Sequence, residues 1–306
     1  MSGVVVIGEV LVELSSPETL RSGASLQLGF SGDALNAAAA AAAAGAHVRL
    51  LTRVADDELG DLLVARVAEL GVDTSMVQRV PGQNGVYFVS ADPTGVREFC
   101  YARRGSAAST LVPEDLPDLS ESFVLSSGIT CAISTSAAET VLAAARAARG
   151  FVYDPNFRPR LTGADEAAQW LAALAPYATL VTPAFPGEAG ALLGAGTPET
   201  TAQACRELGA QAVAVTRGAD GVVVDDGMTI TTVSALPAPA MVDQTGAGDV
   251  FAGTVTARLS FGDDLHDAVR LGAAAASLSL SGQGGTGYIP SLEESRAHLL
   301  KSAAKE

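Results

Sequence analysis

Asp243-Gln244-Thr245-Gly246-Ala247-Gly248-Asp249, running on into Val250-Phe251-Ala252-Gly253, is the stretch from which the rest of the chain can be read. Two glycines within three residues leave bare backbone N–H groups where an amphipathic helix, over 248–260, is predicted to begin. A helix start carries unpaired donors and partial positive charge, so the stretch reads as an anion site. Successive amides of Gly246, Ala247 and Gly248 can also converge on one oxyanion. An aspartate opposes an anion, which gives Asp249 a different job: taking a proton from a hydroxyl beside a bound phosphate. Capping or charging the helix start is the other role the spacing allows.

Working outward, 306 residues with 48% hydrophobic and 17% charged side chains exclude a disordered or fibrous chain. A net charge of −15, from 34 acids against 19 bases, speaks against nucleic acid or an anionic membrane as partner. Any phosphate must therefore be held by local amides, a few arginines and a metal ion. Cys100, Cys131 and Cys205 are widely spaced, as expected of reduced thiols. Met1-Ser2-Gly3 runs straight into the strand-like Val4–Ile7 without a leader, and the alanine run 37–44 is too short to span a bilayer. The expected compartment is the cytoplasm.

The order of elements predicts an α/β fold. Strands are expected near 4–7, 10–14, 25–30, 47–54, 123–126, 151–154, 179–181 and 212–216, with helices over much of the intervening chain and two more after 248. This alternation implies one domain over 1–306, a mainly parallel sheet covered by helices on both faces. Residues 83–103 break the rhythm: two strands flank the turn Asp92-Pro93-Thr94-Gly95, so the segment leaves the sheet as an antiparallel flap. A three-residue loop with Gly95 left-handed would set Tyr87 opposite Tyr101, with Arg103 on the same face. The outer face should be partly apolar, Val86 and Phe88 lying against Phe99 or Cys100.

These pieces together resemble the PfkB, or ribokinase-like, family of sugar kinases. Asp243–Asp249 is similar to its C-terminal signature, Gly32-Asp33-Ala34-Leu35-Asn36 to its N-terminal substrate motif, and Thr216-Arg217-Gly218-Ala219-Asp220-Gly221 to its nucleotide-side turn. Within the family the likeness runs toward 2-keto-3-deoxygluconate kinases, through Tyr101-Ala102-Arg103-Arg104-Gly105-Ser106 and Asp154-Pro155-Asn156-Phe157-Arg158. The resemblance implies an ATP- and Mg²⁺-dependent kinase that phosphorylates the primary hydroxyl of a small sugar acid. A kinase of a neutral sugar (ribose, fructose) or nucleoside, or a sugar-binding relative without turnover, stands as the alternative.

It further implies roles residue by residue. Asp249 takes the hydroxyl proton, and the amides of Gly246, Ala247 and Gly248 meet the phosphate charge. Gly32, Asp33 and Asn36 bond sugar hydroxyls. Tyr87, Tyr101 and Arg103 form the specificity set, the arginine gripping a carboxylate in bidentate fashion. Asn156 and Arg158, just past a strand end, reach the phosphates or their junction with the sugar. Thr216, Gly218, Gly221 and Asp243 flank the nucleotide. Glu188 organises Mg²⁺ through water, although Phe185 stands where the family keeps an asparagine. Asp243 and the carbonyls of 282–287 could hold a monovalent cation such as K⁺. Lid strands within 10–30 and 83–103 imply pairing into a homodimer or larger even assembly.

Overall fold

The computed structural model describes residues 3–91 and 97–303. Its first strand, β1 (Val4–Ile7), buries all four side chains, as an unbroken β-branched run demands of a strand covered on both faces. β2 (Leu11–Ser16), β3 (Gln27–Ser31), α1 (Asp33–Ala43), β4 (Val48–Ala55), α2 (Glu58–Glu69) and β5 (Val77–Val80) follow. β6 (Gly85–Ala91) and β7 (Arg97–Ala102) form the hairpin, then come β8 (Phe123–Ser127), α3 (Gly128–Ile133), α4 (Thr135–Ala147) and β9 (Gly150–Asp154). Next are α5 (Ala164–Leu174), β10 (Leu180–Val181), α6 (Gly187–Leu193), α7 (Pro198–Glu207) and β11 (Val213–Thr216). The hairpin β12 (Val222–Asp225) and β13 (Ile230–Val233) leads into α8 (Ala247–Ser260), α9 (Leu265–Ser279) and α10 (Leu292–Ala303).

Nine strands form the main sheet in the order β13-β12-β11-β10-β9-β8-β1-β4-β5. All pairs are parallel except β11–β12 and β12–β13, which are antiparallel. Side-chain alternation divides the core in two. Val4 and Val6 pack with Leu35 of α1, Phe251 and Val255 of α8 and Val269 of α9. Val5 and Ile7 pack on the other face with Val141 of α4, Leu171 of α5 and Cys205 of α7. This is the expected two-sided α/β sheet. The short β5 and α3 were not foreseen, because Val77-Gln78-Arg79-Val80 and Gly128–Ile133 are too short to show a period.

The alanines of α1 have a packing purpose. Ala37 to Ala41 are all buried, and α8 comes so close that a Cβ on Gly253 would sit 2.1 Å from the carbonyl oxygen of Ala37. Only glycine fits there. This contact seats the front of α8 beside the front of α1.

The second sheet has the order β3-β2-β6-β7, with β2 and β6 parallel and the outer pairs antiparallel. The main chain crosses from the large sheet to the small one between Ile7 and Leu11. Tyr87 pairs with Tyr101, as the sequence predicts, whereas the turn 92–96 with its left-handed Gly95 lies outside the described residues. One expectation changes. Phe88 pairs with Cys100, so Cys100 shares its face, but Phe99 pairs with Val89 and packs inward on Tyr87 and Tyr101.

Candidate active site

A cleft of about 1090 Å³ opens between the small sheet and the ends of the main-sheet strands. Single small-ligand pockets span roughly 300–1,000 Å³, so this one has room for two molecules side by side. The cleft lies where parallel strands present their C-terminal ends, the usual ligand position in open α/β sheets.

At its centre is the start of α8. Gly246 takes a left-handed φ of 82° at the N-cap, and a Cβ there would press on Gly285 and on the Asn36 amide. No side chain caps this helix. The amide of Ala247 turns back to the Gln244 carbonyl at 3.3 Å, and that of Val250 bonds Gly246 at 2.8 Å. Gly248 and Asp249 thus contribute the front amides of the turn, which have no acceptor within the helix. Gly248 is exposed to the cleft.

The Asp249 carboxylate accepts from side chains instead of from helix amides. Oδ2 accepts from Asn36 Nδ2 at 2.8 Å and Oδ1 from Asn156 Nδ2 at 3.1 Å. Burial and the neighbouring Asp33 carboxylate push Asp249 up to about 7, against the pull of Asn36, Arg158 and Asn156. Asp33 accepts from the Ser127 hydroxyl through Oδ2, while Oδ1 is buried with no hydrogen-bond partner among the described residues. Asn36, expected to bond sugar hydroxyls, lines the cleft, with Oδ1 accepting from Ser31 at 3.2 Å and Nδ2 donating to Asp249. Gly32, the N-cap of α1, lines the cleft between them.

Asp154 closes the floor beside this group. Burial and the Glu188 charge push its carboxyl well above the usual range. Glu188, itself raised by burial, accepts from the amides of Phe157 at 2.6 Å and Ala184 at 2.8 Å. A second-sphere role toward Mg²⁺ fits these residues. The oxygens are hard donors with remaining lone pairs, and the carboxylates of Asp33, Asp154, Glu188 and Asp249 crowd one end of the cleft. Among the described residues no group of three His, Cys, Asp or Glu side chains forms a metal cage. Arg158 is exposed at the cleft wall and offers the compensating cation.

Asp243 is buried and ties two loops together, accepting from Thr245 N at 2.9 Å and Gly284 N at 2.6 Å. Thr216 lines the cleft; Gly218 and Gly221 are not among its lining residues. At Gly221 a Cβ would meet the Val233 carbonyl at 2.2 Å, so the packing of the β12–β13 edge by itself requires glycine there.

The inner face of the small sheet supplies the opposite wall. Tyr87 donates to Glu13, and Arg103, 7% exposed, is ion-paired with Glu9 and stands over the Tyr101 ring at 5.8 Å. Arg103 Nε and Nη2 are nonetheless buried without an aligned hydrogen bond among the described residues. Ser106 donates to the other oxygen of Glu9, whose carboxyl is raised by burial. Sequence reasoning singled out neither Glu9 nor Glu13. Glu9 directly follows the Gly8 that ends the first strand, the signal that could have found it. Glu13 had no signal, being one polar residue on an alternating strand.

A strand-end cleft with a helix-start anion site and one central carboxylate is the outline of a phosphotransferase, and the whole chain agrees. Residues 1–292 match the model of the pfkB family of carbohydrate kinases, and the chain belongs to that family. It is 36% identical to a 2-dehydro-3-deoxygluconokinase of Thermoproteus tenax over 99% of this chain and 95% of that one. A protein of the same name from Escherichia coli K12 is 30% identical over 92% of this chain and 96% of its own length. Among solved structures, a PfkB protein from Polaromonas sp. JS666 superposes with a TM-score of 0.86 at 27% identity, covering 97% of this chain and 99% of that one. No helix among the described residues is long and apolar enough to cross a membrane.

Proposed function

We propose that this carbohydrate kinase transfers the γ-phosphoryl group of ATP, with Mg²⁺, to the primary hydroxyl of 2-keto-3-deoxygluconate or a close sugar acid in the cytoplasm. The observation that carries the substrate class is Arg103, a buried guanidinium on the wall of the cleft that pairs with Glu9 through Nη2 while its Nε has no acceptor among the described residues. A substrate carboxylate would give the guanidinium a second anionic partner and Nε an acceptor, which the hydroxyls of a neutral sugar match less well.

Phosphoryl transfer passes through a loose transition state, so positioning and charge stabilisation carry most of the rate. In this reading Asp249 accepts the hydroxyl proton and the front amides of α8 face the transferred charge. Asp33 Oδ1, a buried acceptor without a donor, takes a second sugar hydroxyl. Asn156, Arg158 and Thr216 lie on the nucleotide side, with Glu188 behind the Mg²⁺ water shell. Bound Mg²⁺ supplies charge neutralisation across the phosphates. A monovalent cation such as K⁺ would belong beside Asp243.

A second reading has one observation in its favour. Glu9 already pairs with Arg103, which suits a neutral sugar such as ribose or fructose. ADP release across a panel of sugar acids, neutral sugars and nucleosides separates the two. The sugar-acid reading expects turnover at least about a hundredfold more efficient for the acids, and comparable or better turnover of neutral sugars refutes it.

The small sheet is proposed to pair with a second copy. Leu26 and Leu28 are 40% and 46% exposed on β3 and its approach. Leu28, Leu14, Phe88 and Cys100 stand in register across the four strands. An apolar row of this kind is unfavourable in water.

A further inference from the structure

Asn156 has a backbone that few side chains tolerate. Its φ is 41°, and it is the one non-glycine with positive φ among the described residues. It is 6% exposed, lies two residues past β9, and donates its own N–H to Asp154 Oδ1 at 3.2 Å. Its side-chain amide points at Asp249 Oδ1 at 3.1 Å, while Asn36 grips Oδ2 at 2.8 Å. The carboxylate is therefore held from two sides, by donors that come from different parts of the chain.

Residues that visit the left-handed region readily are glycine, asparagine and aspartate. Glycine has no side-chain donor. Aspartate would set a second carboxylate against the first. Of these three only asparagine meets both demands, and that coincidence needs a reason beyond turn geometry.

We propose that Asn156 is a positioning residue for the phosphoryl-transfer base, fixing the plane of the Asp249 carboxylate so that a lone pair stays aimed at the acceptor hydroxyl. This rests on the reading of Asp249 as the base, and it assigns Asn156 a job other than phosphate contact. Two amide donors also oppose the surrounding negative charge. The groups facing Asp249 are Asp33 from α1, and Asp154 and Arg158 from β9 and its loop; Glu188 of α6 stands behind Asp154. A hydrogen bond that favours the ionised form keeps the base available nearer neutral pH.

Asn156→Gly tests this cleanly, because glycine accepts the same backbone conformation and only the amide is lost. The expected result is a melting temperature within a few degrees of wild type. KM values for ATP and sugar acid stay within about threefold, kcat falls about 10–100-fold, and the acid limb of the kcat profile moves up by about one pH unit. Asn156→Asp, which keeps the shape and adds charge, should move that limb further in the same direction. An unmoved acid limb in both variants overturns the proposal, and so does a loss confined to the KM for ATP, which is what phosphate contact would give. Asp249→Asn run in parallel keeps the two readings apart. If it is inactive while Asn156→Gly keeps its pH profile, the positioning role alone fails; if it stays active, the base itself is misassigned.

Discussion

Asn36 Nδ2 lies 2.8 Å from Asp249 Oδ2, although 213 residues separate the two in the chain. Each stands in the first turn of its helix, and the hydrogen bond exists because α1 and α8 pack closely enough for those turns to meet. The site is thus built by a helix–helix contact as much as by any motif.

That contact depends on Gly253. Gly253→Ala forces a methyl group into the Ala37 carbonyl, and the helices must part. Overpacking of this kind costs about 1–3 kcal/mol. Urea denaturation should show that loss, with a fall in kcat as Asn36 draws away from Asp249. A variant as stable and active as wild type would mean that the close approach is dispensable.

The pH dependence has a definite sign. Asp249 sits at about 7, above an ordinary aspartate, chiefly because of burial. A base works only when ionised, so kcat/KM for the sugar acid should be flat above about pH 8 and fall tenfold per unit below about pH 6. A profile still flat down to pH 5 would exclude a group raised in this way.

Arg103→Ala tests the carboxylate clamp. Removing one partner of a buried charged pair costs about 2–5 kcal/mol, or tens- to thousands-fold in KM for a sugar acid. Turnover of neutral sugars should change far less. Arg103→Lys should not rescue the acid, since an ammonium cannot reproduce the planar fork. Equal losses on acidic and neutral sugars would reduce Arg103 to a structural partner of Glu9.

The assembly can be read by sedimentation at micromolar concentration. A dimer is expected, with Leu28→Glu giving monomers by setting a charge in the apolar row. A wild-type monomer would contradict pairing through this sheet.

Much of this was legible in the sequence because it is local. Val4–Ile7 reads as a buried strand from four consecutive β-branched residues, and the Tyr87–Tyr101 pairing is the one that a three-residue loop, of the two loop lengths the turn allows, predicts. Gly246 and Gly248 mark the head of α8 for the same local reason. What stayed hidden is long-range. Nothing near Glu9 announces Arg103, and nothing near Asn36 says that its amide goes to Asp249. Gly221 looks like a ligand glycine in its motif, and nothing in the sequence hints that the Val233 carbonyl also demands a glycine there. The side-chain partners of a cleft are set by topology, which spacing along one chain does not disclose.

The central claim is that the Asp249 carboxylate moves the acceptor's proton. Asp249→Asn keeps size and shape while removing that ability, and ADP formation with the sugar acid at saturating ATP and Mg²⁺ is the measurement. The account predicts a kcat lowered by about 10²–10⁴-fold with binding of both substrates retained. A kcat within a few fold of wild type would contradict it.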